Sequence, residues 1–156
     1  MKILISYFYK TRFLSRNMIP VSTACFDPKW FHDNKGNDYV YQDSNGVYNG
    51  FRYESLAPDS TCNGYCSKSC TETAPGCQFL TKYREQLDRI DFDQMIKDFN
   101  KFAEDFKSSV GFSEDPVIVL MVYETPSNPC SERSVLISWF KDHGMTLEEY
   151  NERIHL

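Results

Sequence analysis

Apolar positions in this chain fall into a few compact blocks, and the spacing inside each block sets the element it forms. Residues 3–9 (Ile-Leu-Ile-Ser-Tyr-Phe-Tyr) are apolar and aromatic almost throughout and end at Lys10-Thr11-Arg12, the pattern of a central strand covered on both faces. A short second strand is predicted at Ile19–Ala24, stopped by Asp27-Pro28. Residues 116–123 (Pro-Val-Ile-Val-Leu-Met-Val-Tyr) form the clearest strand, again apolar on both faces and therefore central and parallel.

Elsewhere the period changes to that of a helix. Gln78–Leu87 reads as helical, and Phe92, Met95, Ile96, Phe99, Phe102, Ala103 and Phe106 recur at three and four, one core-facing stripe. That helix is expected from about Asp93 to Ser109, with Asp91 or Asp93 as N-cap and Gly111 beyond its end. A third helix is predicted from Pro129 to His143, burying Val135, Leu136, Trp139 and Phe140 and stopped by Gly144. The tail fits two patterns: a capping box at Thr146-Leu147-Glu148-Glu149, or an edge strand at Ile154-His155-Leu156.

Two polar stretches interrupt this order. Tyr39, Val40, Tyr41, Val47 and Tyr48 flank Asp43-Ser44-Asn45-Gly46, which predicts a β-hairpin turning at Asn45-Gly46, an insertion over about 32–50. The Ser-, Thr-, Pro- and Gly-rich stretch over about 59–77 is a second insertion, a loop carrying four cysteines. The whole, residues 1–156, is expected to be one α/β domain: small, three-layered, Rossmann-like, with a mostly parallel sheet, an inserted hairpin and a Cys-rich loop. No internal repeat is visible.

Composition narrows the partners. A 41% hydrophobic and 15% aromatic chain of 156 residues supplies one core. Seventeen basic against 22 acidic side chains give a net charge of -5, with no basic run. That disfavours nucleic acid as a partner but leaves room for a small anion held by two or three donors. Ser6 and Lys10 break the first apolar run before a secretory core forms, and no stretch approaches the ~20 apolar residues of a membrane span. The expectation is a cytoplasmic protein that does not contact membrane, in which six cysteines act as thiols or metal ligands. Oligomeric state leaves no mark on the sequence.

Two constellations carry candidate chemistry. In the first, the strand ending at Tyr123-Glu124 delivers the chain to Asn128-Pro129-Cys130-Ser131-Glu132-Arg133. Asn128 suits an N-cap and Pro129 the first helical position, which places Cys130 and Ser131 in the first turn. Amides there carry partial positive charge that holds an anion or activates a thiol, and Arg133 adds a planar fork. The plainer reading makes Ser131 and Glu132 caps, Cys130 a buried thiol and Arg133 the ion-pair partner of Glu132 or Glu124. In the second constellation, Cys62, Cys66, Cys70 and Cys77 form C-x3-C-x3-C-x6-C, four thiols for one structural Zn²⁺; an iron–sulfur cluster, or unliganded or paired cysteines, are the alternatives. Cys25 and Cys130 are expected to lie outside it. His32, His143 and His155 share no motif, and no Gly-rich phosphate loop, HExxH or G-x-S-x-G occurs.

The order of these pieces resembles the domain-of-unknown-function family 488. Ser6-Tyr7-Phe8, Ile19-Pro20-Val21-Ser22, Pro28-Lys29-Trp30, Gly50-Phe51-Arg52-Tyr53-Glu54-Ser55-Leu56-Ala57-Pro58, and Tyr123-Glu124 leading to Cys130-Ser131-Glu132-Arg133 with Trp139 follow one another across nearly the whole chain. The resemblance implies a small three-layer α/β fold, uncharacterised activity, and a bacterial or phage setting in which nucleotides are reasonable ligands. The family pattern is Cys-His-Arg; aligned on Arg133 and Trp139, this chain has Ser131 and Glu132 in place of Cys and His, with Cys130 one position early, so Arg133 alone carries over directly.

The sequence-based expectation is therefore a pocket at the carboxyl ends of the strands that binds a small anionic, nucleotide-like molecule. Ser6, Tyr7, Ser22, Trp30, Arg52, Ser131 and Arg133 are its candidate lining. One alternative is a hydrolase or transferase acting on a phosphoryl or N-glycosidic bond, with Cys130 as nucleophile or Glu124 or Glu132 as general base. Another is a zinc-stabilised protein-interaction module.

Overall fold

The computed structural model describes residues 2–32, 51–62, 77–128 and 130–151. Five strands, β1 (Lys2–Tyr7), β2 (Met18–Ser22), β3 (Phe51–Arg52), β4 (Val117–Val122) and β5 (Glu148–Glu149), form one sheet in the order β3-β2-β4-β1-β5. Every pair is parallel, with Leu4 opposite Val119 in the β1–β4 ladder and Val21 opposite Leu120 in β2–β4. The fold is the expected Rossmann-like α/β domain. The hairpin expected over 38–49 lies outside the described residues, as does most of the Cys-rich loop.

Alternation along the central strands divides the core in two. Ile3, Ile5, Ile19, Val21, Ile118, Leu120 and Val122 face one way, under the helices α1 (Gln78–Asp88), α2 (Phe92–Val110) and α3 (Glu132–Asp142). Leu4, Met18, Val119 and Met121 face the other way, where short 3-10 segments at Phe8–Phe13 and Lys29–His32 supply Phe8 and Phe31. This is why continuous apolar runs rather than alternating ones built the strands: both faces are covered.

The helices follow the apolar periods. The α2 stripe buries Phe92, Met95, Phe99, Ala103 and Phe106, and Phe92 meets Trp139 and Phe140 of α3 edge-on, with centroids 5.1 and 5.2 Å apart. Asp91 caps α2 by accepting from the Gln94 amide at 3.1 Å, and Gly111 ends it at φ 83°, a conformation that costs glycine little. Helices α1 and α3 lie side by side, tied where Arg84 reaches Ser138 at 3.3 Å and Asp142 at 2.6 Å. No helix among the described residues is long and apolar enough to cross a membrane.

Two local expectations are corrected. Helix α3 starts at Glu132 with Ser131 as its N-cap, whose hydroxyl accepts from the Arg133 amide at 3.1 Å. Asn128 instead accepts from the Cys130 amide at 3.0 Å, holding a turn ahead of the helix, so Cys130 precedes the cap rather than occupying the first turn. In the tail, an edge strand does form, but at Glu148–Glu149 against Leu4 and Ile5, where a capping box was one of the two readings. The alternative segment 154–156 lies outside the described residues.

Candidate functional site

The sheet order defines where a ligand fits. After β1 the chain crosses towards β2 and β3, whereas after β4 it turns the other way through α3 to β5. β1 and β4 are neighbours, so their carboxyl ends flank the crevice at which open parallel sheets bind ligands. Tyr7, Glu124 and the start of α3 gather there.

Arg133 is 5% exposed and organises this edge. Its Nε donates to Glu149 Oε1 at 2.6 Å and its Nη1 to the Glu124 carbonyl at 2.6 Å, while its guanidinium lies 5.8 Å from the Tyr7 ring centre. Nη2 is buried with no hydrogen-bond partner among the described residues. Glu149 reaches Arg133 because parallel pairing with Ile5 turns it to the helical face of the sheet. Burial pushes its carboxyl above the ordinary range, and Arg133 opposes that shift by charge and hydrogen bond.

Glu132, the neighbour of Arg133 on the first turn of α3, meets Glu124 side chain to side chain. Burial first, then the Glu124 charge, then the hydrogen bond between the two carboxyls push Glu132 from 4.5 up to about 8, against smaller opposing effects of a backbone hydrogen bond and then of Arg133. Glu132 keeps a partial opening to solvent, yet its carboxyl is enclosed on its other sides, so desolvation dominates. The result is a carboxylic acid that holds its proton at neutral pH. Tyr83 lies under this group, its hydroxyl donating to the Leu56 carbonyl at 2.5 Å, and burial drives its pKa well above the usual phenol value.

A second network occupies the carboxyl ends of β2 and β3. Asp27, its side chain 4% exposed, accepts from the Ser22 hydroxyl and from Arg52 Nη1 at 2.5 Å, while Arg52 Nε donates to Glu54 at 2.8 Å. Beside it lies an open cleft of about 300 Å³ between Cys25, Arg52, Glu54 and Asp59. A larger cleft of about 660 Å³, at Lys2, Asn17, Asp115 and Val117, lies at the amino ends of the strands. Its lining includes none of Glu124, Glu132 and Arg133. The smaller cleft adjoins the Asp27–Arg52 network, and a third of about 280 Å³ lies on the other side of Arg52, against Tyr53 and Phe99.

The predicted site residues thus separate. Glu124, Glu132, Ser131, Arg133 and Tyr7 converge; Ser22 and Arg52 join the Asp27 network next to them. Ser6 is fully buried on the opposite face, its hydroxyl without a partner among the described residues. Trp30 is set apart as well, packed edge-on to Phe8 and Phe31 at 6.4 and 6.0 Å on the second face of the sheet. Of the proposed metal ligands, Cys66 and Cys70 lie outside the described residues. Cys62 is buried with its thiol on Gln86 Oε1 at 3.6 Å, and Cys77 lies 3.9 Å, sulfur to sulfur, from Cys130. The starts of α1 and α3 bring Cys77 and Cys130, the latter expected to lie outside the metal cluster, to this distance. Among the described residues no group of three or more His, Cys, Asp or Glu could hold a metal ion. Asp27 and Glu149 were missed, since one read as a turn residue and the other as part of a cap; neither carries a local signal for a partner 25 or 16 residues away. No protein-family model matches the chain, and neither a curated protein nor a solved structure matches it.

Proposed function

We propose that the carboxyl edge of the sheet is an acid–base site and that the chain is a hydrolase or transferase acting on the N-glycosidic bond of a nucleoside or nucleotide. The observation that carries this reading is the Glu132–Glu124 pair, in which Glu132 holds its proton up to about pH 8. Two carboxyl groups divide the labour of glycosidic cleavage: one protonates the departing base, the other stabilises the positive charge that develops on the sugar. Phosphoryl transfer fits less well, because it needs uncommitted cations on the transferred group. Here Arg133 and Arg52 already face Glu149, Asp27 and Glu54. Cys130 stands ahead of the helix cap and is not needed for this chemistry.

The test is base release from a panel of purine and pyrimidine nucleosides, nucleotides and dinucleotides, followed by chromatography. Glu132→Gln is expected to cut kcat by roughly 10²–10⁴ while leaving substrate affinity within a few-fold, the range for loss of a general acid. Equal rates in the variant and the parent would remove Glu132 from the mechanism, and no free base from any compound would reject the reaction class.

A second reading, binding of an anionic, nucleotide-like molecule without bond cleavage and in keeping with the resemblance to family 488, is favoured by one atom. Arg133 Nη2 is a buried donor without a partner among the described residues, and such a group costs about 1–3 kcal/mol unless a ligand satisfies it. Thermal stabilisation by phosphorylated compounds, lost in Arg133→Lys, would support it.

A further inference from the structure

We propose that Cys77 and Cys130 form a site of reversible oxidative modification, closed to an intrachain disulfide by peroxide or by a low-molecular-weight disulfide. Their sulfurs are 3.9 Å apart although 53 positions separate them in sequence. The fold itself sets them opposite each other. Cys77 is the N-cap of α1, and Cys130 stands two residues ahead of α3. Both helices run onward side by side to the Arg84 contacts with Ser138 and Asp142. Those contacts lie seven and eight residues further along each chain segment, counting from Cys77 to Arg84 and from Cys130 to Ser138. With the helices in that register, bonding distance of about 2.05 Å requires each sulfur to move by roughly 1 Å. Cys130 stands outside α3, and side-chain rotation there supplies the movement.

The two thiols differ in access, which assigns their order. Cys130 is partly exposed and Cys77 is 2% exposed, so Cys130 meets the oxidant. With hydrogen peroxide, the Cys130 sulfur attacks one oxygen, the O–O bond breaks, and Cys130 becomes a sulfenic acid as water leaves. The Cys77 sulfur then attacks the Cys130 sulfur, the S–O bond breaks, and the second oxygen leaves as water with the Cys77 proton. Two thiols lose two electrons and one peroxide is reduced to two waters. With a low-molecular-weight disulfide, the same bond forms by two exchanges that release two small thiols. Of the other described thiols, Cys62 is sealed against Gln86, and Cys25 donates to the Pro58 carbonyl at 3.1 Å.

The experiment oxidises the reduced full-length protein with hydrogen peroxide or oxidised glutathione, blocks remaining thiols, and maps peptides without reduction. The expected result is a peptide containing Cys77 linked to one containing Cys130, lighter by two hydrogens, restored by dithiothreitol. Cys130→Ser removes that product and leaves Cys77 unmodified by peroxide. Cys77→Ala, which keeps a small apolar residue in the buried position, stops the reaction at a sulfenic acid or mixed disulfide on Cys130. Linkage of Cys77 to Cys66 or Cys70 instead, or a Cys130 that alkylates at the same rate before and after oxidation, overturns the proposal. The variants' helical circular dichroism separates loss of the site from loss of the fold.

Discussion

Replacing Glu132 by glutamine isolates the protonation on which the proposed chemistry depends. Glutamine has the shape of the protonated acid and can still donate to Glu124, so the variant fixes the state that the parent holds only below about pH 8. The folded-state value lies above the ordinary one of 4.5. Between these two values the native protein binds a proton that the unfolded chain has released. Stability from this group is therefore fully present below pH 4.5 and drains away as pH rises to about 8. Three and a half pH units at about 1.4 kcal/mol each set a ceiling near 5 kcal/mol. The partial opening of Glu132 to solvent reduces this to roughly 2–3 kcal/mol. Urea unfolding of both proteins at pH 5, 6, 7, 8 and 9 measures it. The variant should match the parent at pH 5 and exceed it by those 2–3 kcal/mol at pH 9, with most of the divergence between pH 6 and 8. The comparison removes contributions common to both proteins, including Glu149, whose raised value gives the same sign. Parallel stability profiles across the whole range would refute a proton held at Glu132.

Five further substitutions test the ion pair beside it and the caps of α2 and α3. Arg133→Met leaves Glu149 partly buried without its cation and the Glu124 carbonyl without its donor, for an expected loss of about 3–5 kcal/mol in urea unfolding. Adding Glu149→Gln to Arg133→Met should recover about half of that loss, and a double-mutant cycle with no coupling would disprove the pairing. Ser131→Ala removes the N-cap of α3 and should cost about 1 kcal/mol, as should Asp91→Ala at the start of α2. An Asn128→Ala variant, by contrast, should leave the α3 cap intact and cost less than Ser131→Ala.

Periodicity made the frame legible because it records burial directly. The α2 stripe and the double-faced runs of β1 and β4 appear as expected, since each needs only an apolar environment on the side its own spacing dictates. Capping was harder to read at α3, where Asn128 and Ser131 are both good caps by residue type. The chain chose Ser131, which puts its hydroxyl on the Arg133 amide, while Asn128 closes a separate turn. Trp30 was misplaced for a related reason: an aromatic near a strand end looks like a stacking platform until the face it packs on is known, and here that face holds Phe8 and Phe31. The site was half legible. Glu124, Glu132 and Arg133 lie close in sequence and came forward together, but their electrostatic setting depends on Glu149 and the burial supplied by α1. Neither is encoded near them.

Adjacent residues on the first turn of α3 divide the work at this edge. Glu132 turns to the Glu124 side chain, and Arg133 turns to the Glu124 backbone carbonyl. Glu124 is held through its main chain by a cation whose remaining charge is answered by Glu149, so Arg133 fixes the position of the pair without flooding it with positive charge. Had Arg133 pointed at the carboxyls instead, its charge would have pulled Glu132 down towards the ordinary acid range. Its placement therefore lets one acid stay protonated beside another, which is what a leaving group needing a proton requires and what a bound phosphate would not. On the acid–base reading proposed above, this placement is what sets the edge apart from an anion-binding site, even though two arginines stand within it.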